Sequence, residues 1–289
     1  GEPLQKYDDN FELYLDPAAE HQIELRLKNF TPPASGNIDM TSMTADEAQT
    51  TILAALATGF TELKLTGELS KIGMGGNWGT FINNKKITKC DLTGVTGWGR
   101  TPTLPELAFM NCTALQEVTL PDDVRVIGSS AFFGCAALTT VNLSQVTWIN
   151  LNAFYECTSL EMLILDNVTE IGREVFYGCT SLKTLKIPKC TRFGNYIVTG
   201  CKALTRIEAT ATGDFLDIIG NSSIENYAVF HNRDTHSGEN AFAPARCDLV
   251  LNTDKQEDGT AVPKVSGNNR WTLAANASPM MWKSITFRQ

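Results

Sequence analysis

The side chains best suited to chemistry are His231, Asp234 and His236, which lie within His231-Asn-Arg-Asp234-Thr-His236, with Cys247 further along the chain. Two imidazoles and a carboxylate this close suit either a metal ion or an acid/base pair. His-x4-His has no helical frame here and no defined third ligand, so the cluster reads as an exposed loop. His21 falls in a turn. There is no P-loop, no nucleophile elbow and no glycine fingerprint following a strand. No catalytic residue, metal ligand or cofactor site is therefore assigned, and the chain is expected not to be an enzyme. A hydrolase or metal-dependent activity within residues 210–247 is the alternative.

The eight cysteines lead to the elements that hold them. Cys112, Cys135, Cys157, Cys179 and Cys201 head five copies of one pattern: AFMNCTALQEVTL, AFFGCAALTTVNL, AFYECTSLEMLIL, VFYGCTSLKTLKI and the weaker IVTGCKALTRIEA. Their periods of 23, 22, 22 and 22 residues are those of a leucine-rich repeat solenoid. Within each unit, L-x-x-L-x-L recurs as Leu115/Val118/Leu120, Leu138/Val141/Leu143, Leu160/Leu163/Leu165, Leu182/Leu185/Ile187 and Leu204/Ile207/Ala209. Inward positions two apart predict a strand. A second apolar beat, Val124/Ile127, Val146/Ile149, Val168/Ile171 and Cys190/Phe193, predicts a second side. Ala108-Phe109, Ala131-Phe132, Ala153-Phe154 and Val175-Phe176 then open a third. One such coil leaves its flanks unburied, so the coils must stack and both ends need caps.

Disulfides are the ordinary reading of eight cysteines in an exported chain. Here five recur at one repeat position, and Cys90 and Cys190 replace inward aliphatics. Equivalent side chains in stacked coils point in parallel, which suits a bridge dihedral near 90° poorly. A ladder of buried free thiols is expected, and a 22-residue spacing offers no C-x-x-C zinc pair.

FFGCAALTTVNL and NVTEIGREVFYGCTSLKTLKIP, with the pairs Ile127-Gly128 and Ile171-Gly172, resemble the BspA-type bacterial leucine-rich repeats, whose units run close to AFxGCxxLxxVxLPxxVxxIGxxAF. The resemblance covers about a third of the chain well. It implies a surface or secreted bacterial protein that works in adhesion or in binding proteins and glycans.

The rest of the chain fits an array with appendages. Of its 289 residues 43% are hydrophobic, and no apolar run is long enough to be a transmembrane segment. Gly1 stands where Met would, without an apolar leader, which suggests an expressed fragment from which any export signal was removed. With 24 basic against 32 acidic residues, nucleic acid is not the expected partner. Residues 1–44 carry eight acids and three bases and read as a strand pair, FELYL and QIELRLKNF, followed by the linker TPPASGN. Thr44-Ala-Asp-Glu47 is a capping box. The helix after it carries Ala48, Ile52, Leu53 and Leu56 on one face and ends at Gly59.

The leucine-rich repeat domain is thus placed at residues 45–289. Phe60/Leu63/Leu65, Leu69/Ile72 and Ile87/Cys90/Leu92 begin it, with loops around Trp78 and Trp98. Residues 108–209 are its regular repeats. Residues 210–289 are read as a C-terminal cap with an insertion, in which Ala241-Phe242 and CDLVL form a last half-repeat and WKSITF a closing strand. The fold class is an α/β repeat solenoid: β-rich, with short helical turns, an N-terminal helix and strand cap, and a C-terminal cap. One continuous parallel sheet is expected to join the L-x-x-L-x-L strands, with Leu163 central enough that Leu163→Ala costs about 2 to 5 kcal/mol.

Function is then sought on the outward strand positions, Glu117/Thr119, Thr140/Asn142, Met162/Ile164, Thr184/Lys186 and Arg206/Glu208. Met162 and Ile164 are apolar where solvent is expected. They are candidate ligand-binding residues, with Thr140, Asn142, Thr184 and Lys186 as a polar rim. Packing of these two under the appended segments is the other reading. On the second side, Val126 and Trp148 are expected to point outward, and Trp148 is a second candidate anchor. Phe133, Tyr155 and Tyr177 recur as a ladder that reads as half-buried packing. Eight of the nine acids in residues 108–209 precede residue 175 and six of the eight bases follow it, which suits either a solvated face or an anionic ligand. The resulting expectation is a non-catalytic binding module for a protein or glycan. A purely structural spacer is a third possibility.

Overall fold

The computed structural model describes residues 33–74, 79–210 and 246–252, together with six strands outside them. Three of those strands, Pro3–Asp8, Phe11–Leu15 and Ile23–Leu27, form an antiparallel sheet in which Phe11–Leu15 is central. The leading segment therefore has one strand more than the expected pair. It belongs to a compact unit of residues 1–35.

Residues 36–289 form the second unit, whose described coils make a leucine-rich repeat solenoid of about seven turns with little helix. Its repeat sheet begins earlier than residue 45, since Asn37–Asp39 already pairs in parallel with Glu62–Glu68. The helix Ala45–Ala57 starts at the Thr44 capping box. The Thr44 amide donates to Glu47 Oε2 at 2.8 Å, and the Glu47 amide donates to Thr44 Oγ1 at 3.3 Å. Ala48, Ile52, Ala55 and Leu56 form its buried stripe. Leu53 is exposed instead, because five residues at 100° each carry it well off the stripe that starts at Ala48.

On the first side of the coils, Asn37–Asp39, Glu62–Glu68, Lys89–Thr96, Glu117–Thr119 and Thr140–Val141 form one parallel sheet. Met162–Ile164, Thr184–Ile187, Arg206–Thr210, Asp248–Asn252 and Ser284–Arg288 form another. The expected continuous sheet is thus broken between Val141 and Met162. Two strands expected in the C-terminal segment extend the sheet of Met162–Ile164 in parallel, with Ile207 beside Leu249 and Leu249 beside Ile285. Trp78 and Ala241-Phe242 lie outside the described residues. Trp98 is packed rather than held in an open loop, and its indole N–H donates to the Val95 carbonyl at 2.7 Å.

The second side is an unbroken parallel sheet of Thr103–Leu104, Val126–Ile127, Trp148–Ile149, Glu170–Ile171 and Arg192–Phe193. Where Phe193-Gly194 stacks on Ile171-Gly172 of the preceding coil the backbones nearly touch. A β-carbon on Gly194 would sit 2.2 Å from the Arg173 amide nitrogen, so a hydrogen is all that fits.

The third side consists of turns rather than the expected helical ones. In each regular coil, residues with positive φ precede both the aromatic pair and the cysteine, as Leu107 and Asn111, Asn152 and Glu156, or Glu174 and Gly178. A left-handed residue every fourth position stops a right-handed helix from propagating. The turns place Phe81, Phe109, Phe132, Phe154 and Phe176 in one stack with centroids 5.2, 5.6, 5.1 and 6.0 Å apart.

Cross-coil hydrogen bonds run both ways here. Phe132 N–H donates forward to the Ala153 carbonyl at 2.8 Å. The thiols of Cys112, Cys135, Cys157, Cys179 and Cys201 donate back to the carbonyls of Phe81, Phe109, Phe132, Phe154 and Phe176 at 2.9 to 3.2 Å. All eight cysteines are buried.

Burial pushes the thiols of Cys112, Cys179 and Cys190 up to about 12 from an ordinary 9.0. Below pH 9 the thiols are neutral in folded and unfolded chains alike. Above it the unfolded chain releases protons that the folded chain keeps. Stability should therefore fall between about pH 9 and about pH 12, by about 1.4 kcal/mol per pH unit for each such thiol. Cys179→Ala should make the fall shallower by one proton, and an unchanged slope would contradict the assignment. Thiol titration at pH 8 should count eight groups in denaturant and few in the native protein. A count near zero in denaturant would mean disulfides.

The sheet break also grades the leucines. Leu185 is wholly buried and central, whereas Leu163 forms one wall of a cleft at the break. Leu185→Ala should cost about 4 kcal/mol and Leu163→Ala nearer 2, because the second cavity opens to solvent. Denaturant melts giving the reverse order would contradict that placement.

Candidate functional site

Alternation along each strand sends every second side chain out of the first side. Cross-strand register aligns Met162 with Thr184 and Ile164 with Lys186, so these four share one patch. Met162 is 59% exposed and Ile164 48%. Thr184 and Lys186 are half-buried beside them. Thr140 and Asn142 lie on the other side of the break. The Asn142 amide is already engaged, accepting from the Leu120 N–H at 2.6 Å and donating to the Leu120 carbonyl at 2.9 Å. Trp148, 40% exposed, is on the second sheet and does not join this group. Val126, expected outward beside it, is buried. The large Trp148 indole stands next to it in register.

The break itself is a feature that the repeat pattern does not predict. Among the described residues, no backbone hydrogen bond joins residues 139–143 to residues 161–165. The N–H of Thr140 turns back to Gln116, and the carbonyl of Glu161 turns onward to Thr184. By the alternation of a parallel ladder, the backbone groups of Val141, Met162 and Ile164 face the gap. Asn142 ties its coil to the one before, and that sheet ends at Val141.

The coils stay stacked elsewhere. Trp148 pairs with both Val126 and Glu170, and Phe132 stacks on Phe154. What opens is a cleft of about 220 Å³ walled by Val141, Leu143, Leu160 and Leu163, with Met162 and Ile164 at its rim.

Charge on this side is paired rather than bare. Lys183 reaches Glu161 at 2.8 Å and Lys186 lies 3.9 Å from Asp166, each bridging to the preceding coil. On the second side Arg192 reaches Glu170 at 2.9 Å. Three of the six bases after residue 175, Lys183, Lys186 and Arg192, thus pair with acids one coil back, while Lys189 donates to the Asn167 amide and Arg206 pairs with Glu208 of its own strand. Exposed pairs of this kind contribute at most about 1 kcal/mol each, so they align neighbours more than they hold them.

Nearer the start of the array, Lys64 pairs with Asp91 at 3.1 Å, and Lys89 lies between Glu62 and Glu117 at 3.7 and 3.9 Å. These five side chains surround a shallow polar hollow of about 250 Å³. Burial raises the Asp91 carboxyl, but hydrogen bonds from the Thr93 hydroxyl and amide, with Lys64, outweigh it and hold the group below the usual range.

Phe133, Tyr155 and Tyr177 stack face to face at 4.7 and 4.4 Å. Their faces cover one another, which leaves edges and no platform for a sugar ring. Burial, then the neighbouring Tyr177, pushes the Tyr155 hydroxyl well above its ordinary range. Among the described residues no group of three His, Cys, Asp or Glu could hold a metal ion. His231, Asp234 and His236 lie outside the described residues.

Residues 80–211 match six copies of the BspA type leucine rich repeat region. No curated protein matches the chain. Similar solved structures include the T. pallidum leucine rich repeat protein TpLRR, at 24% identity and TM-score 0.36, covering 51% of this chain and 58% of that one. A leucine-rich repeat protein from Bacteroides ovatus is 17% identical at TM-score 0.37, covering 71% of this chain and 70% of its own. The pneumococcal vaccine antigen PcpA is 17% identical at TM-score 0.37, covering 79% and 44%. The chain therefore spans little more than half the length of the first of these and less than half of the last. Residues 80–211 are thus a BspA-type leucine-rich repeat region.

Proposed function

We propose that this chain is the recognition module of a surface or secreted protein, binding a protein or glycan partner in adhesion or host interaction without catalysing a reaction. The observation that carries the reading is the exposure of Met162 and Ile164 on the edge strand at the sheet break, beside an open apolar cleft. Large apolar side chains left in solvent at adjoining strand positions cost solubility and add nothing to the core. They do fit the centre of an interface. Thr140, Thr184 and Lys186 supply the rim around them, with Asn142 as a half-buried neighbour. Trp148 is a separate anchor on the second sheet. The inward leucines carry the fold, so outward residues can vary freely for recognition.

The apolar centre favours a protein partner over a glycan. Ile164→Lys should weaken capture of a partner found by glycan-array and protein-pulldown screening of the intact chain by about thirtyfold or more, the effect of a central anchor. Its melting temperature should stay near that of the parent. Equal capture by parent and variant would move the site elsewhere.

A further inference from the structure

We infer that the outward sheet face fits a second copy of this chain, the two copies being related by a two-fold axis that runs along the array, across the strands. The inference rests on reading this face as the recognition surface, and it identifies the partner. Such an axis sets each coil against its own counterpart and exchanges the two outward positions of every strand. Glu62 then faces Lys64 of the other copy, and Lys89 faces Asp91. Met162 faces Ile164, and Thr140 faces Asn142. From Glu62 to Lys186, each pair of opposed charges is of opposite sign and no like charges meet. The side chains of Glu62, Lys64 and Lys89 are exposed, and Asp91 is half-buried, so all four can reach across.

Shape agrees with charge at the centre. Met162 stands out as the most exposed large apolar side chain of the face, and Ile164, which it would meet, forms the rim of the cleft between the two sheets. An unbranched, adaptable thioether suits a gap of this kind. Two-fold symmetry makes the contact twice, each copy supplying one knob and one hole. An axis along the strands would instead need Glu208 and Val250, which are less accessible, as partners for Thr119 and Asp91.

The contact is small. Six strands about 4.8 Å apart and about 10 Å of strand width give roughly 300 Å² per copy, well below a standard interface, so the dimer should be weak and reversible.

Sedimentation velocity on the full chain between about 10 µM and about 1 mM tests this, the range in which a contact of this size should dissociate. The expected result is a weight-average mass rising with concentration toward twice the monomer. Ile164→Lys should weaken the dimer at least tenfold with an unchanged melting temperature. Lys89→Glu and Asp91→Lys should each weaken it about three- to tenfold, since each sets two like-charged contacts across the axis. Combining the two swaps should restore or exceed the parental affinity, because one outward row becomes acidic and the facing row basic.

That combination also separates this inference from a purely internal role for the charges. Within one chain it sets a carboxylate at position 89 between Glu62 and Glu117 and an ammonium at position 91 beside Lys64, so an internal role predicts no recovery. A double swap no better than the singles would overturn the dimer, as would self-association that ignores Ile164→Lys. A chain that stays monomeric at 1 mM but still loses partner capture on Ile164→Lys would also overturn the dimer and leave the sheet-face reading standing.

Discussion

A coil of 22 residues cannot bury its own inward side chains, and the stacking of one coil on the next is what everything else in this array depends on. The third side shows how stringent that dependence is. Without strands there, alternate amides of each turn bond within the turn and the others find their partners in the next coil. The Phe132 carbonyl accepts from the Cys157 thiol of the next coil, and the Phe132 N–H donates to Ala153 of that same coil. Cysteine meets the need because its side chain is small enough for the stack and still carries a donor. Glycine at Gly194 meets the opposite need, giving up a side chain so that backbones can approach.

Because stability is vested in the inward residues and in these cross-coil bonds, the outward face is released from structural duty. Its charges mostly tie one coil to the next. Among the described residues no ion pair joins the coil of Thr140 to that of Met162, and there the sheet also opens and two apolar side chains stand in solvent. The coincidence of break, cleft and exposed apolar pair at one junction is the physical basis for locating recognition there. The uninterrupted second sheet and the phenylalanine stack keep the junction from coming apart.

Most of the fold was legible because its signals are short-range and repeated. The L-x-x-L-x-L strands, the cysteine ladder and the Thr44 capping box follow from spacing alone. What escaped depends on neighbours in space. Leu53 has the composition of a core residue, but its phase on the helix carries it away from the stripe. Val126 occupies an outward register yet is buried beside Trp148. Helical turns were expected where left-handed residues such as Glu156 prevent them, and nothing in the side chain of a glutamate announces a positive φ. The sheet break was the least visible feature. Its one trace in the sequence is Asn142, an amide at a position where the next three coils carry Ile164, Lys186 and Glu208. The candidate surface residues were identifiable as outward, but the ion pairs that tie Lys183, Lys186 and Arg192 to the preceding coil could be seen only once the coils were stacked.

Amide hydrogen exchange across the array tests the opening of the first side most directly. The N–H groups of Met162 and Ile164 should exchange far faster than those of Leu163, Leu185 and Ile207 in the ladder beyond them, while Ile149 and Ile171 on the second sheet stay protected. Protection of Met162 and Ile164 equal to that of Leu185 in the dilute monomer would mean that the sheet is continuous. The cleft would then be closed, and the physical basis for placing recognition at this junction would be gone.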